Sequence, residues 1–438
     1  MDKNHKRLCI QKIIFEYESS FDEIEDLLTE LRELREFCYE NSSNLVTRNL
    51  SPDVSDADLN ELVNGNSEFA FDFYHELVGN TDGNLFFSPH SISTALAMTY
   101  AGARNNTEKQ MADVLHFTLE QESLHPAFNA LDLELASRGE NAEATDGKGF
   151  RLNIANSLWG QEGYPFLNSF LDMTAANYGS GMTFLDFARH PEPSRTCINK
   201  WVYYNTETRI EDLIPKGEIS SSTVLVLVNA IYFNAAWRSP FSEKSTHDGT
   251  FYLPDSSEVT TPLMWQEMKF GYTEGENYQA TELPYDGEEL SMTVLLPKEG
   301  QFEAFEKTLT SERLDAIIEN METQDVYLTL PKFSFESDSL SLKDTFTQMG
   351  MEDPFIGSAD FSGIDGSPGL RISNIFHKAF VAVDEAGTEA AAATGVGVDT
   401  SLPDVIYDFK VNRPFIFFIR DIDTGAILFI GRIVNPVG

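Results

Sequence analysis

The chain has 438 residues, with 31 Lys and Arg against 70 Asp and Glu, which gives a formal net charge of −39. A negative excess of this size repels nucleic acid and anionic membranes, and we expect neither as a partner. The sequence also contains 33 Phe and 15 Tyr. These provide enough apolar surface for a large core, so the acidity does not indicate a disordered chain.

Residues 1–60 are predicted to form an extension of the main body. Ser20 and Glu23 fit a capping box, and apolar residues then recur at helical spacing as far as Cys38. This pattern predicts an amphipathic helix of about five turns, followed by a polar linker over 41–58. Three explanations stay open for the helix. It docks on the body, it pairs with a second copy of the chain, or the segment is an artefact of a misassigned start codon.

The compact body is predicted to begin near residue 62. An aromatic-rich amphipathic helix is expected over 69–78, and a second helix follows Ser88 and Pro89, which suit its N-cap and its first turn. Strands are predicted over 152–159 and 223–233, with a helix between them, and the second strand is apolar on both faces. Strands and short turns dominate the remainder, and no internal repeat is found. The pattern indicates one α+β domain over 61–438.

Motifs of enzymes and metal sites are absent from the sequence. It contains no Gly-x-Ser-x-Gly elbow, no phosphate-binding loop and no His-Glu-x-x-His motif. The three cysteines, Cys9, Cys38 and Cys197, have neither a disulfide nor a metal-ligand spacing. We therefore expect free thiols, no enzymatic activity, no cofactor and no metal.

The most unusual segment lies near the C-terminal end of the chain. From Val383 it runs through four consecutive alanines to Thr394, and no large aliphatic or aromatic side chain other than valine follows until Leu402. Composition alone favours a flexible linker. However, two strongly apolar strands, over 409–419 and 426–434, follow the segment closely. We therefore predict a loop held between buried strands and not an inter-domain tether.

At this segment the sequence resembles the serpins. Residues 384–391 match the serpin hinge and residues 412–417 match the C-terminal signature; residues 87–92 and the strand leading to Trp237 are further matches. The resemblance covers roughly residues 60–438. It implies the serpin fold, with a large central, mostly antiparallel sheet A, two further sheets, about nine helices and an exposed reactive-centre loop.

The resemblance implies an irreversible suicide inhibitor of serine proteases. In this family the protease cleaves the loop, forms an acyl-enzyme, and is trapped when the N-terminal half of the loop inserts as an extra strand of the central sheet. Insertion requires small, uncharged residues at alternate positions, and Thr388, Ala390, Ala392 and Thr394 satisfy this requirement. The alternative is a non-inhibitory serpin that acts as a carrier, chaperone or storage protein.

Three groups of site residues follow from the resemblance. The hinge comprises Glu385, Gly387, Thr388, Glu389, Ala390, Ala391, Ala392, Ala393 and Thr394. The breach, where the loop first enters the sheet, comprises Trp237, Lys332 and Glu385, and a Lys332–Glu385 ion pair is expected there. The shutter, a polar network under the centre of the sheet, comprises Ser88, Ser91, Asn156, Asn229 and His377.

Two alignments place the reactive bond one residue apart. Counting from Glu385 by the usual loop length of the family ends at Ser401, with Leu402 after the bond. Aligning residues 400–403 with a frequent x-Ser-x-Pro pattern selects Thr400–Ser401 instead, and both choices stay open. Neither places Lys or Arg before the bond, so the expected target is an elastase-like or subtilisin-like serine protease and not a trypsin-like one.

The target protease is the one partner that we expect, bound covalently by a monomeric inhibitor. Heparin binding is not expected, because residues 125–137 contain Asp132 and Glu134 and no Lys or Arg. Most serpins act outside cells, which favours an extracellular location. The N-terminal apolar run is interrupted by Gln11 and Lys12 and makes a poor export signal, so a cytoplasmic location is the alternative.

Overall fold

The computed structural model describes residues 46–139, 151–179, 182–337, 340–388 and 405–437, without the side chains of 151–155 and 340. The predicted N-terminal amphipathic helix and the loop residues 389–404 lie outside these ranges. Within the described ranges, no helix is long and apolar enough to cross a membrane.

Ten α-helices lie within the described ranges, close to the predicted number. They are α1 (Asp56–Val78), α2 (Pro89–Tyr100), α3 (Asn105–Leu115), α4 (Gln121–Ser137), α5 (Asn168–Tyr178), α6 (Pro191–Asn205), α7 (Phe302–Glu306), α8 (Ser311–Glu319), α9 (Lys343–Gln348) and α10 (Ser362–Asp365). The strands are β1 (Leu85–Phe87), β2 (Arg151–Gln161), β3 (Thr183–Leu185), β4 (Leu225–Ala236), β5 (His247–Tyr252), β6 (Glu258–Glu274), β7 (Tyr278–Pro284), β8 (Leu290–Pro297), β9 (Glu322–Pro331), β10 (Phe333–Glu336), β11 (Leu340–Ser341), β12 (Phe376–Val383), β13 (Gly387–Thr388), β14 (Tyr407–Lys410), β15 (Phe415–Asp421) and β16 (Ile427–Ile433).

A seven-stranded sheet carries the predicted site residues Asn156, Asn229, His377, Gly387 and Thr388. Its order is β10–β12–β13–β4–β2–β3, with β11 paired to β12. Strands β2 and β13 run antiparallel to β4, and β10, β11 and β13 run antiparallel to β12, whereas the β12–β4 and β2–β3 pairs are parallel. This is the large, mostly antiparallel sheet that the sequence predicted.

The other strands form a nine-stranded sheet in the order β1–β16–β15–β8–β7–β6–β9–β14, with β5 paired to β6. Strand β6 pairs with β5 over residues 258–263, with β9 over residues 263–272 and with β7 over residues 271–274. The two further sheets expected from the resemblance are therefore continuous here, because the long strand β6 belongs to both.

Helix α2 lies behind the seven-stranded sheet, in the core of the molecule. The Ser88 hydroxyl accepts a hydrogen bond from the Ser91 backbone N–H at 3.1 Å and caps the helix, and Pro89 occupies its first turn. All twelve residues of α2 are buried, and the helix contacts β2, β4 and β16. A polar side chain on this helix therefore meets the back of the sheet and not solvent.

Helix α6 covers the front of the same sheet. Its buried residues Cys197, Ile198 and Val202 form an apolar cluster with Val226 and Val228 of β4. Strand β4 is thus buried on both faces, as its uninterrupted apolar sequence predicted. Any movement that widens this sheet has to displace the contacts of α6.

Cys197 is not a free thiol, contrary to the expectation from its spacing. It is 1% exposed and disulfide-bonded. Sequence spacing did not predict this bond, because only the fold determines which cysteines come within bonding distance.

Residues 46–54, which precede α1, are anchored on helices α4 and α5. The Arg48 guanidinium forms an ion pair with Asp132 at 2.5 Å and donates to Asn129 Oδ1 at 2.7 Å. The Asn49 backbone N–H donates to the Ala176 carbonyl at 2.8 Å. These contacts attach the end of the predicted extension to the body, while the boundary at residue 60 stays a prediction.

Candidate functional site

The short strand β13 lies between β4 and β12 at one end of the seven-stranded sheet. Gly387 pairs with Ala236 and Thr388 pairs with Ala235 on β4, and Thr388 also pairs with Val383 on β12. Further along, β4 and β12 pair directly with each other over residues 228–232 and 376–380. At this end of the sheet β4 and β12 are therefore separated by one strand, β13, whereas over the middle of the sheet they are direct neighbours.

Gly387 occupies a position where its backbone touches the backbone of β4. A Cβ atom at this position would lie 2.2 Å from the Ala235 carbonyl oxygen and 2.7 Å from the Ala236 Cα. No side chain fits at such distances without moving the strand. The sequence predicted Gly387 as a flexible hinge residue, and the structure adds this close approach as a second reason for glycine.

The predicted ion pair between Lys332 and Glu385 is present at the base of the hinge. Lys332 Nζ lies 2.5 Å from Glu385 Oε2, and the Thr246 hydroxyl donates to Glu385 Oε1 at 2.7 Å. The side chain of Glu385 is only 9% exposed. Burial raises the pKa of this carboxyl. The hydrogen bonds from Lys332 and Thr246 lower the pKa and together outweigh burial, so the pKa lies below its ordinary value.

Trp237 holds the backbone of the segment on both sides of Glu385. Its indole Nε1 donates to the Asp384 carbonyl at 3.0 Å, and its backbone N–H donates to the Ala386 carbonyl at 2.9 Å. The indole ring stacks on Tyr285 with centroids 4.7 Å apart. The Tyr285 hydroxyl lies 2.8 Å from Thr388 Oγ1, and both residues are fully buried.

Tyr285 and Thr246 are site residues that sequence reasoning missed. Tyr285 lies in an apolar strand pattern and gave no sign of a polar role. The signal that was available is chemical: a buried tyrosine hydroxyl needs a hydrogen-bond partner. Only the fold places that hydroxyl against Thr388.

All five predicted shutter residues meet in one network of hydrogen bonds. Asn229 on β4 lies opposite both His377 on β12 and Asn156 on β2. The Asn229 amide Nδ2 donates to Ser91 Oγ at 2.7 Å and to Asn156 Oδ1 at 2.8 Å. His377 Nε2 accepts from the Ser88 backbone N–H at 3.2 Å, so its Nδ1 carries the proton and donates to Asn229 Oδ1. The network joins three strands to helix α2.

The imidazole of His377 is neutral in this environment. It is fully buried, and burial lowers its pKa to about 3. A neutral ring has one donor and one acceptor nitrogen, and both are used here. The network is therefore satisfied only while β4 and β12 stay next to each other.

The remaining predicted site residues are not placed. Thr400, Ser401 and Leu402 and the hinge residues from Glu389 to Thr394 lie outside the described residues.

Comparisons with known proteins agree on one family. The family model for "Serpin (serine protease inhibitor)" matches residues 64–436. An uncharacterized serpin-like protein of Thermococcus kodakarensis is 42% identical over 86% of this chain and 86% of that protein. Leukocyte elastase inhibitor A of Mus musculus is 40% identical over 86% of this chain and 100% of that protein. The crystal structure of human thyroxine-binding globulin superposes with a TM-score of 0.77 and 30% identity, over 87% of this chain and 100% of that one.

Proposed function

The chain belongs to the serpin family, and from that premise we propose that it is an irreversible suicide inhibitor of serine proteases. The catalytic serine of the protease attacks the carbonyl carbon of the reactive bond and the peptide bond breaks, which leaves the protease joined as an ester to the N-terminal part of the loop. This part of the loop then inserts into the seven-stranded sheet between β4 and β12. The inhibitor acts as a monomer, outside the cell, and forms a covalent complex with its target.

The observation that carries this proposal is the position of β13. This strand already lies between β4 and β12, and its register on β4 can be continued residue by residue. Continued to the far end of β4, it pairs residues 387–398 with Ala236 to Leu225. A strand of that length spans about 40 Å, enough to move an attached protease to the opposite end of the sheet.

The side chains of the loop suit this register. Alternate residues of a strand point to the same face of a sheet, so Ala390, Ala392 and Thr394 would share the inner face of the buried Thr388. Thr394 then comes to lie opposite both Asn229 and His377. Its hydroxyl can offer a hydrogen bond to the two groups that insertion separates.

We assign the shutter network the role of a lock. Insertion changes β4 and β12 from neighbours into second neighbours, and their separation rises from about 5 Å to about 10 Å. The hydrogen bond between His377 and Asn229 cannot survive that change. The sheet therefore stays closed until the cleaved loop provides new pairing along both strands. In the breach, the Lys332–Glu385 pair holds the base of the loop at the point where insertion starts.

The target class follows from the residues at the reactive bond. Thr400 and Ser401 are small and uncharged, which suits the narrow primary pockets of elastase-like and subtilisin-like proteases. The mouse relative is named as an elastase inhibitor, in agreement with this choice. We therefore propose a serine protease of one of these two kinds.

A non-inhibitory carrier is the second candidate function. The observation in its favour is the likeness to thyroxine-binding globulin, whose structure contains thyroxine. The small, uncharged residues at the inner positions of the loop favour the inhibitor, because a carrier has no need of a loop that fits into the sheet.

Incubation with a subtilisin-like and an elastase-like protease separates the two functions. We expect a complex that survives heating in detergent, with cleavage after Thr400 or Ser401 by mass spectrometry. We also expect the cleaved inhibitor to unfold at a higher temperature than the intact one. Cleavage without a complex and without a gain in stability would make the protein a substrate, and the carrier would become the better proposal.

A further inference from the structure

The part of the nine-stranded sheet formed by β6, β9 and β14 exposes an aromatic pair on its outer face. Trp265 on β6 is 42% exposed, and its ring centroid lies 6.0 Å from that of Tyr327 on β9. Val326 and Leu328, the neighbours of Tyr327 along β9, are fully buried, so the alternation of the strand directs Tyr327 away from the core. Surface Tyr and Trp side chains are enriched in protein interfaces, and this pair makes the outer face a candidate contact surface.

Two carboxylates flank Tyr327 on the same face. Glu267 on β6 is paired with Tyr327 on one side, and Asp408 on β14 is paired with it on the other. Paired residues of adjacent strands point to the same face of a sheet, and both acidic residues are exposed. Neither carboxylate forms an ion pair within the part of the chain that the structure describes. We call Trp265, Tyr327, Glu267 and Asp408 the aromatic–acidic patch.

The other charges of this face leave the patch negative. Lys269 is neutralised by Asp325, whose Oδ2 lies 2.9 Å from the lysine Nζ. Lys410 on β14 lies in the same register as Trp265, two strands away from it, at the edge of the patch. Carboxylates pair with a guanidinium or an ammonium group, and the face of an indole ring attracts the same cations. The chemistry of the patch therefore suits an Arg or Lys side chain of a partner.

The patch lies within reach of a protease bound at the proposed reactive bond. Strand β14 follows the loop, and Asp408 is seven residues beyond Ser401. Seven extended residues span at most about 25 Å, and Tyr327 and Trp265 lie one and two strands further, at about 5 Å a strand. A protease domain of about 200 residues has a radius of gyration of about 16 Å and a diameter of roughly 40 Å. The body of such a protease is large enough to cover the patch.

We propose that the aromatic–acidic patch is a secondary docking site for the target protease, and that the target presents an Arg or Lys side chain to it. The inference rests on the proposed inhibitory function and goes further, because it assigns the target a basic surface beside its active-site cleft. The primary pocket of the protease contacts only a small, uncharged residue, Thr400 or Ser401. The patch adds a selection by charge, which the net charge of −39 reinforces by drawing cationic partners toward the inhibitor.

The test separates docking from insertion. The probe is a leukocyte elastase with a strongly basic surface, used both in its active form and with its catalytic serine replaced by alanine. The active form gives the second-order rate constant of inhibition and the number of inhibitor molecules consumed per trapped protease. The inactive form gives the Kd of the complex before cleavage.

We expect W265A and E267Q/D408N each to lower the rate constant and to raise the Kd by about fivefold or more. The number of inhibitor molecules consumed per trapped protease should stay unchanged, because the patch takes no part in insertion. The effect of E267Q/D408N should shrink in about 0.5 M salt, which screens exposed charges, whereas the effect of W265A should persist.

Matched controls isolate the patch from the rest of the surface. Y204A removes a side chain at the end of α6 that is 65% exposed, and it should match the wild type. E122Q/E162Q removes the same formal charge as E267Q/D408N from exposed positions outside the patch, and its rate constant should stay within about twofold of the wild type. K410Q removes the cation at the edge of the patch and should raise the rate constant, an effect of opposite sign. Thermal unfolding shows whether each variant is folded.

The outcomes distinguish this inference from the proposed function. If the wild type forms no stable complex with active elastase, the inhibitory function fails and the docking site fails with it. If the complex forms while both patch variants keep the rate constant and the Kd of the wild type, the inhibitor stands and the patch is not a docking site. A dimer of the intact wild type that W265A dissociates in gel filtration would show that a second copy covers the patch, and it would also overturn the proposal.

Discussion

His377 and Asn229 lie directly opposite each other on the parallel strands β12 and β4, and a hydrogen bond joins their side chains across the line where the proposed insertion would open the sheet. Both residues are fully buried. Breaking this bond leaves an acceptor on Asn229 and a donor on His377 without partners in the core, at a cost of about 1–3 kcal/mol for each group.

The first prediction concerns the H377F variant. Phenylalanine fills a similar volume but leaves the Ser88 backbone N–H and Asn229 Oδ1 unsatisfied. We expect a loss of about 2–4 kcal/mol of unfolding free energy and faster spontaneous loss of inhibitory activity at 37 °C. Denaturant unfolding and an activity time course measure the two effects.

The matched control for H377F is T94A. Among the described residues, the Thr94 hydroxyl bonds only to the His90 carbonyl of its own helix, so this change should leave the half-life of inhibition unaltered. Equal half-lives of inhibitory activity for wild type and H377F would contradict the proposed role of the shutter network as a lock.

The second prediction concerns pH. Burial lowers the pKa of His377 to about 3 in the folded protein, whereas an unfolded histidine titrates near 6.5. The unfolded state therefore binds a proton first as pH falls. The contribution of His377 to stability is fully present above about pH 6.5 and declines as pH falls toward 3. Between pH 7 and pH 5 the loss should be about 2 kcal/mol.

The pH effect is measured as the change in unfolding free energy between pH 7 and pH 5, in wild type and in H377Q. Burial also lowers the pKa values of His90 and His125, so the wild type should lose more than His377 alone accounts for. The difference between the two proteins isolates His377. A difference near zero would mean that its imidazole is not buried as a neutral group.

The third prediction concerns the Tyr285 hydroxyl. The Y285F variant keeps the stacking on Trp237 and removes only the bond to Thr388. We expect β13 to be weakened by about 1 kcal/mol, which gives roughly fivefold faster amide hydrogen exchange at residues 387–388. The control is Y272F, because the Tyr272 hydroxyl bonds to Glu274 and Gln279 and not to the hinge. Unchanged exchange in Y285F would remove Tyr285 from the site.

The fourth prediction tests the hinge. Thr388 is fully buried, so T388R places a charge where the inserted strand has to enter the core. We expect cleavage to continue while the yield of covalent complex falls by at least tenfold, read from a denaturing gel as the ratio of complex to cleaved inhibitor. The control E389R alters a residue expected on the other face and should trap protease almost as well as the wild type.

The fold and several contacts of the candidate site could be predicted because their residues lie within local sequence motifs. The buried strand β4, the capped helix α2 and the positions of Lys332, Glu385 and His377 all lie within recognisable sequence patterns. Tyr285, Thr246 and the disulfide of Cys197 could not be predicted in this way. The roles of Tyr285 and Thr246 come from partners far away in sequence, Thr388 for Tyr285 and Glu385 for Thr246. The continuity of the two smaller sheets through β6 is likewise a property of pairing and not of composition.

The last prediction decides the position of the reactive bond. Trypsin-like proteases need Lys or Arg in their primary pocket, and neither Thr400 nor Ser401 supplies it. An arginine placed directly before the bond should create a trypsin inhibitor, because the mechanism of trapping depends on insertion and not on the residue in the pocket. We therefore expect only one of T400R and S401R to form a stable complex with trypsin; loop length measured from Glu385 selects S401R, and the x-Ser-x-Pro pattern selects T400R. The other variant should be cut by trypsin one residue out of register, without a stable complex. Complexes of equal yield from both variants would mean that the loop accepts either bond, and a complex from neither would show that the primary pocket does not determine the target.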